Sequence, residues 1–239
     1  MVIAIVIGRG GSKGMPGKNS YIINRHPMMA YPIMAARDCD QVDEVFFSTE
    51  DDKLKDIAKE YGASIIDRPK ELATDETLGE DVFVHAYNWV NERPLLSPIE
   101  LVVLMFANAP CITSDMISEM IKILRESDAD SICTVSKCNM FSPYRMRYIN
   151  DKKIVNFLRQ SQFSEVSCDR DSGGDFYIYD CSCAVVRPHC LEDINYGFLP
   201  QKWLGRNILP FVQETPALDV DYAYQIGQVE YWLNKHWFV

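Results

Sequence analysis

The chain has 239 residues, of which 47% are apolar and 24% charged, and carries a formal net charge of −10. Those proportions are ordinary for a globular protein of one large domain, or one domain with a sizeable insertion. An acidic balance with no Lys/Arg-rich run excludes a general nucleic-acid binder, and no stretch approaches the roughly 18 apolar residues of a membrane span.

The first element is an apolar run, Val2-Ile3-Ala4-Ile5-Val6-Ile7, which reads as a buried strand in a parallel sheet. It breaks into residues 8–19, GRGGSKGMPGKN, with five glycines, one proline and three cations. Glycines let backbone N–H groups approach a ligand, and Arg9, Lys13 and Lys18 add positive charge, a chemistry suited to a polyphosphate. Two common phosphate loops do not fit. A Walker loop would need Gly at Ser12 and Ser or Thr at Asn19, and a dinucleotide fingerprint would need Gly at Lys13. The loop also holds no acidic partner for its own cations.

Residues 27–37 have helical composition, with Pro32 marking an early turn or kink. Residues 45–49 form a second strand. Residues 51–61 form an amphipathic helix with Gly62 as its C-cap, and 63–66 a third strand. This alternation implies βαβ units. Residues 68–75, RPKELATD, read as a polar loop leading to a helix over 80–90. Residues 101–106, LVVLMF, form a buried strand ending in ANAP. Ligands of open α/β sheets bind beyond the carboxyl ends of strands, so this turn should face the same crevice as the first loop. A helix over 113–127 and a strand over 131–136 follow. From about 141 to 180 the rhythm weakens into polar, aromatic and irregular sequence. Residues 179–186 re-enter the sheet, with Cys181 and Cys183 expected on opposite faces. Asp219 and Asp221 stand before a final helix over 222–234. Two carboxylates at this spacing can converge in the turn entering a helix, or one can simply cap it.

Of the eight cysteines none forms a C-x-x-C pair, which argues against zinc. The initial apolar run is too short for a signal peptide and enters the loop directly, so a cytoplasmic protein with reduced thiols is expected. The four histidines lie in no motif and are read as packing or capping residues.

Arg9, Ser12, Lys13, Gly14, Pro16, Lys18 and Asn19 fall in register with A-R-x-x-S-K-G-x-P-x-K-N. That is the signature of the sugar-acid cytidylyltransferases, which the chain resembles over nearly its whole length. The segment at 68–75 matches R-P-x-x-L-A-x-D of that family, and 219–221 matches its D-[IV]-D.

The resemblance implies a Rossmann-like nucleotidyltransferase: an α/β fold, mostly parallel, with helices on both faces. It also implies a single domain over 1–239 with an inserted dimerisation and acceptor-site arm at about 141–180. Gly10, Gly11, Ser12, Lys13, Lys18, Asn19, Arg68 and Thr74 would bind the nucleotide, with Asp75 shaping the loop beside Arg68. Asp219 and Asp221 would hold Mg²⁺. Arg9 would stabilise the transition state and Lys18 the phosphates while a sugar-acid hydroxyl attacks the α-phosphate of CTP and pyrophosphate leaves. On the acceptor side the chain departs from its relatives. Phe106 and Asn108 stand where they have Gln and Thr in L-Q-P-T-S-P, and Ser182-Cys183-Ala184 stands where they have N-G-A-x-Y. Phe106, Asn108 and Ser182 are therefore the candidate acceptor residues, with Arg159 and Gln160, which resemble an Arg-Gln pair that meets the sugar carboxylate.

The first expectation is CMP transfer to a sialic-acid-like nonulosonic acid by a homodimer, an assembly suggested also by the aromatic arm and the apolar end 237–239. The alternatives are a KDO-type acid or a phosphonate as acceptor, GTP as donor, or a nucleotide-binding protein without catalysis.

Overall fold

The computed structural model describes residues 1–11, 13–163 and 166–237. The strands are β1 (Val2–Ile7), β2 (Ile22–Ile23), β3 (His26–Pro27), β4 (Glu44–Thr49), β5 (Ser64–Asp67), β6 (Leu101–Phe106), β7 (Ser131–Lys137), β8 (Arg147–Asn150), β9 (Lys153–Asn156), β10 (Tyr177–Val186) and β11 (Ile208–Val212). The helices are α1 (Ala30–Arg37), α2 (Asp52–Glu60), α3 (Gly79–Asn91), α4 (Ser114–Arg125), α5 (His189–Glu192) and α6 (Ile226–His236). Among the described residues the main sheet has the order β11-β7-β10-β6-β1-β4-β5. All its pairings are parallel except those of β10, which runs antiparallel to both β6 and β7.

Strand β1 shows why six consecutive apolar residues were needed. Successive side chains of a strand point to opposite faces. Val2, Ala4 and Val6 pack with α1, α2 and α4, whereas Ile3, Ile5 and Ile7 pack with Phe83, Ala86 and Tyr87 of α3. Helices thus cover both faces, as the sequence implied. A third apolar cluster seats α6, through Val229, Trp232 and Leu233, against Met28, Ala30 and Tyr31.

Local chemistry sets most boundaries. Asp51 caps α2, its Oδ1 accepting from Leu54 N–H at 3.0 Å, and Gly62 follows that helix with φ 95°. Thr113 caps α4 in the same way. Helix α1 begins three residues later than expected, because Ile22–Ile23 and His26–Pro27 pair as a small hairpin that takes up Pro27. Pro32 then falls in the first helical turn, where its missing N–H costs nothing. The residues of α1 from Ala30 to Ala36 are all buried, the pattern of a helix enclosed on every side.

Two expectations about β10 need correction. It begins at Tyr177 rather than 179, and its register shifts between Tyr179 and Ala184. A regular strand would place positions 181 and 183 on one face, not on opposite faces as expected, and the strand is not regular here: Cys181 sits at φ 62° and is half-buried, whereas Cys183 is fully buried.

The irregular stretch between β7 and β10 holds the exposed β8–β9 hairpin. Asp151 and Lys152 form its two-residue turn with φ of 47° and 61°, the positive pair that a tight hairpin requires. Asn139 ties down the base of this arm. Its side chain donates to Asp171 and Asp175, and its Oδ1 accepts from Phe176 N–H. Among the described residues no helix is long and apolar enough to cross a membrane.

Candidate active site

A cleft of about 270 Å³ opens at the carboxyl ends of the parallel strands, lined in part by Arg9, Lys18, Asn19, Arg68, Phe106 and Asp221. The first loop, the turn after β6 and the segment before α6 meet here. A larger cavity of about 630 Å³ lies beside the arm, with mostly apolar walls from Met140, Phe141, Met146 and Ile178. Of the charged groups that the sequence singled out, Arg9, Lys18, Arg68 and Asp221 line the smaller cleft.

Close packing explains the glycines. A Cβ on Gly10 would run into the Asp51 carboxylate, and one on Gly14 would stand 2.5 Å from the main-chain oxygen of Asp221. Gly10 N–H donates to Glu50 Oε1 at 2.9 Å, so its backbone donor is already engaged. Gly11 faces open space. Asn19, only 5% exposed, donates from Nδ2 to the Arg9 carbonyl and fixes the start of the loop, while its Oδ1 has no partner. Ser12 lies outside the described residues.

Each loop cation meets a carboxylate from a distant segment. Lys18 Nζ lies 2.6 Å from Asp221 Oδ1 and donates to the Val220 carbonyl at 2.9 Å. Arg9 and Lys13 share Asp75, at 2.8 and 2.5 Å. Their hydrogen bonds, Lys13 first and Arg9 second, hold the Asp75 carboxyl below its ordinary range. Sequence reasoning gave Asp75 only a shaping role, because the partner loops lie far apart in the chain.

Arg68 is buried, donating to the Ser48 carbonyl and hydroxyl and standing 3.8 Å from Glu50. Burial pushes its guanidinium down to about 10, with Glu50 opposing and Arg9 adding to the fall. Glu50 had escaped notice. Its position just beyond the carboxyl end of β4 was the available signal. Thr74 lines the rim and shares a 2.9 Å hydrogen bond with Thr77.

Asn108 donates to Asp219 Oδ2 at 3.2 Å and to the Val220 carbonyl at 3.1 Å, so it braces the aspartate pair. Burial and then the charge of Asp221 push the Asp219 carboxyl up, opposed by Lys18 and Asn108. Neither aspartate caps a helix among the described residues. Gln225 instead accepts from the N–H groups of Asp221 and Tyr222. Carboxylate oxygens are the hard donors that Mg²⁺ takes, and Asp219 and Asp221 are the residues that could supply them.

Of the acceptor candidates, Phe106 lines the cleft and packs edge-on against Phe83 and Trp203. Ser182 is not brought to the cleft. It is 0% exposed beside the buried Asp180, to which its N–H donates, because the bulge at Cys181 turns it into the sheet. Arg159 and Gln160 sit exposed on the arm and do not line the cleft of their own chain.

Cations of the first loop and a carboxylate from the segment before α6 thus meet at the strand ends, where ligands of open α/β sheets bind. The chain belongs to the cytidylyltransferase family, whose profile matches residues 3–172. It is 24% identical over 222 residues to the N-acylneuraminate cytidylyltransferase of Oncorhynchus mykiss, covering 92% of this chain and 48% of that protein. With the Escherichia coli N-acylneuraminate cytidylyltransferase it shares 29% over 157 residues, covering 65% and 36%. The chain thus spans less than half the length of these curated relatives. Its fold is that of CMP:2-keto-3-deoxy-manno-octonic acid synthetase solved with CTP, at TM-score 0.68 and 13% identity, covering 98% of both chains. The fold also matches 4-diphosphocytidyl-2C-methyl-D-erythritol synthase of Anaerococcus prevotii, at TM-score 0.62 and 14% identity, covering 98% of this chain and 96% of that one.

Proposed function

We propose that this protein transfers CMP from CTP to a sialic-acid-like sugar acid and releases pyrophosphate. The observation that carries the reading is the convergence of Arg9, Lys18, Arg68 and Asp221 at one cleft, with Asp219 bonded to the lining residue Asn108. Lys18 and the loop would bind the triphosphate, Arg9 would meet charge developing at the α-phosphorus, and Arg68 would approach the nucleotide from the cleft wall. An acceptor hydroxyl forms the new P–O bond as the bond to pyrophosphate breaks. Positioning and charge stabilisation supply most of the acceleration.

Asp219 and Asp221 would hold Mg²⁺, whose chemistry here is neutralisation of phosphate charge. Among the described residues no group of three or more His, Cys, Asp or Glu converges, so triphosphate and water would complete its oxygen shell. We assign the working form as a homodimer in which Arg159 and Gln160 of the arm serve a neighbouring cleft. A monomeric mass by light scattering would refute that assignment. The free thiols of all eight cysteines support the cytoplasm as the compartment.

Phe106 favours a second reading in which the acceptor is a KDO-type acid or a phosphonate. An apolar ring offers no hydrogen bond to a polar acceptor group, and such a loss changes selectivity strongly. The test is pyrophosphate release with Mg²⁺ and either CTP or GTP against a panel of nonulosonic, KDO-type and phosphonate acceptors. Turnover with CTP and one nonulosonic acid supports the first reading. Silence across the panel with CTP binding retained rejects it.

A further inference from the structure

Asp75 pairs with two of the three loop cations. Its two carboxylate oxygens divide between two cations, Oδ1 to Arg9 and Oδ2 to Lys13. One carboxylate bridging two cations reproduces the charge pattern of adjacent phosphoryl oxygens. The bridge is also exchangeable. The Lys13 side chain is 81% exposed and that of Asp75 41%, and ion pairs so open to water hold weakly. Asp75 lies between Thr74 and Thr77 of the cleft rim, whose hydroxyls hydrogen-bond to each other, so the carboxylate is carried on a closed turn.

We propose that Asp75 is an internal anion that the triphosphate must displace from Arg9 and Lys13 together. A triphosphate supplies enough charge to replace both contacts at once. A single phosphoryl group can take one cation while Asp75 keeps the other. The carboxylate therefore weakens triphosphate binding more than monophosphate binding, as an internal competitor of the donor nucleotide. This inference rests on the reading of the first loop as the triphosphate site.

Isothermal titration of the whole chain with inorganic tripolyphosphate and with orthophosphate tests it, comparing wild type with Asp75→Asn and Asp75→Ala. Melting temperatures measured alongside establish that all three are folded. Both variants should bind tripolyphosphate roughly tenfold more tightly, the scale of two exposed ion pairs. Orthophosphate, which displaces one contact at most, should gain less, and a gain as large as that of tripolyphosphate would overturn the inference. Unchanged or weaker tripolyphosphate binding in both variants would overturn the inference, leaving Asp75 as a brace for Arg9 and Lys13. Tripolyphosphate bound by none of the three proteins would instead overturn the triphosphate reading of the loop, and the role of Asp75 with it.

Discussion

Lys18 and Asp221, 203 positions apart, are joined by a 2.6 Å ion pair that ties the first loop to the segment before the last helix. The lysine is largely enclosed, with a side chain 13% exposed, while the aspartate is open to solvent. The ammonium is thus already fixed at the place where phosphate charge would arrive, and little reorganisation is required of it.

Lys18→Met keeps the aliphatic stem and removes the charge. Pyrophosphate release should fall by about 10²- to 10³-fold, as when one preorganised donor is lost. Stability should change by no more than about 1 kcal/mol, since the partner carboxylate remains in water. Steady-state kinetics and a urea titration separate the two effects.

Asp221→Ala should abolish Mg²⁺-dependent turnover, whereas Asn108→Ala should only weaken it by loosening Asp219. Mg²⁺ titrations of activity would show the second variant needing about 10- to 100-fold more metal. Full activity in Asp221→Ala would remove the metal assignment.

Gly14→Ala places a methyl group against the Asp221 carbonyl, a main-chain atom that cannot turn aside. The outcome expected is a fall in kcat with far-UV circular dichroism unchanged, because the displaced segment carries the carboxylates and lies outside helix and strand.

Asp130 provides a pH test away from the cleft. Burial raises its carboxyl, but the N–H groups of Asn207 and Arg206, with His189 and Tyr196, outweigh burial and hold it below the ordinary value of 3.8. A carboxylate lowered in the folded state contributes stability above its unfolded value and loses it as pH falls through the folded one. Asp130→Asn should therefore cost about 2 kcal/mol near neutrality. The gap in melting temperature from wild type should close progressively as pH drops below 3.8. A gap that stays constant into that range would contradict the assignment.

The parts of this protein legible in its sequence are those written in short segments. Val2–Ile7 announced a strand buried on both faces, and residues 68–75 and 219–221 carried enough of a pattern to be placed at one crevice. Contacts between segments were not legible. Nothing near Asp75 marks it as the partner of Arg9, and nothing near Asn108, which lines the cleft, marks its bond to Asp219 across 111 positions. The bulge at Cys181 escaped because a cysteine at positive φ has no signature, and Ser182 was misplaced with it. The β8–β9 turn hid for a similar reason, using Asp-Lys where glycine is usual. The apolar end at 238–239 lies outside the described residues.

The arm leaves the sheet at Lys137 and returns at Tyr177, and those two residues face each other across a single rung of the β7–β10 ladder. Both ends of residues 138–176 are thus pinned side by side. The excursion between them adds nothing to the order of the strands. Natural variation can lengthen, shorten or recompose it while β7 and β10 keep their pairing. The cleft at the strand ends, built in part from the first loop and the parallel strands, is insulated from such change. A fold arranged this way can rebuild one loop-out while the walls of that cleft are inherited intact.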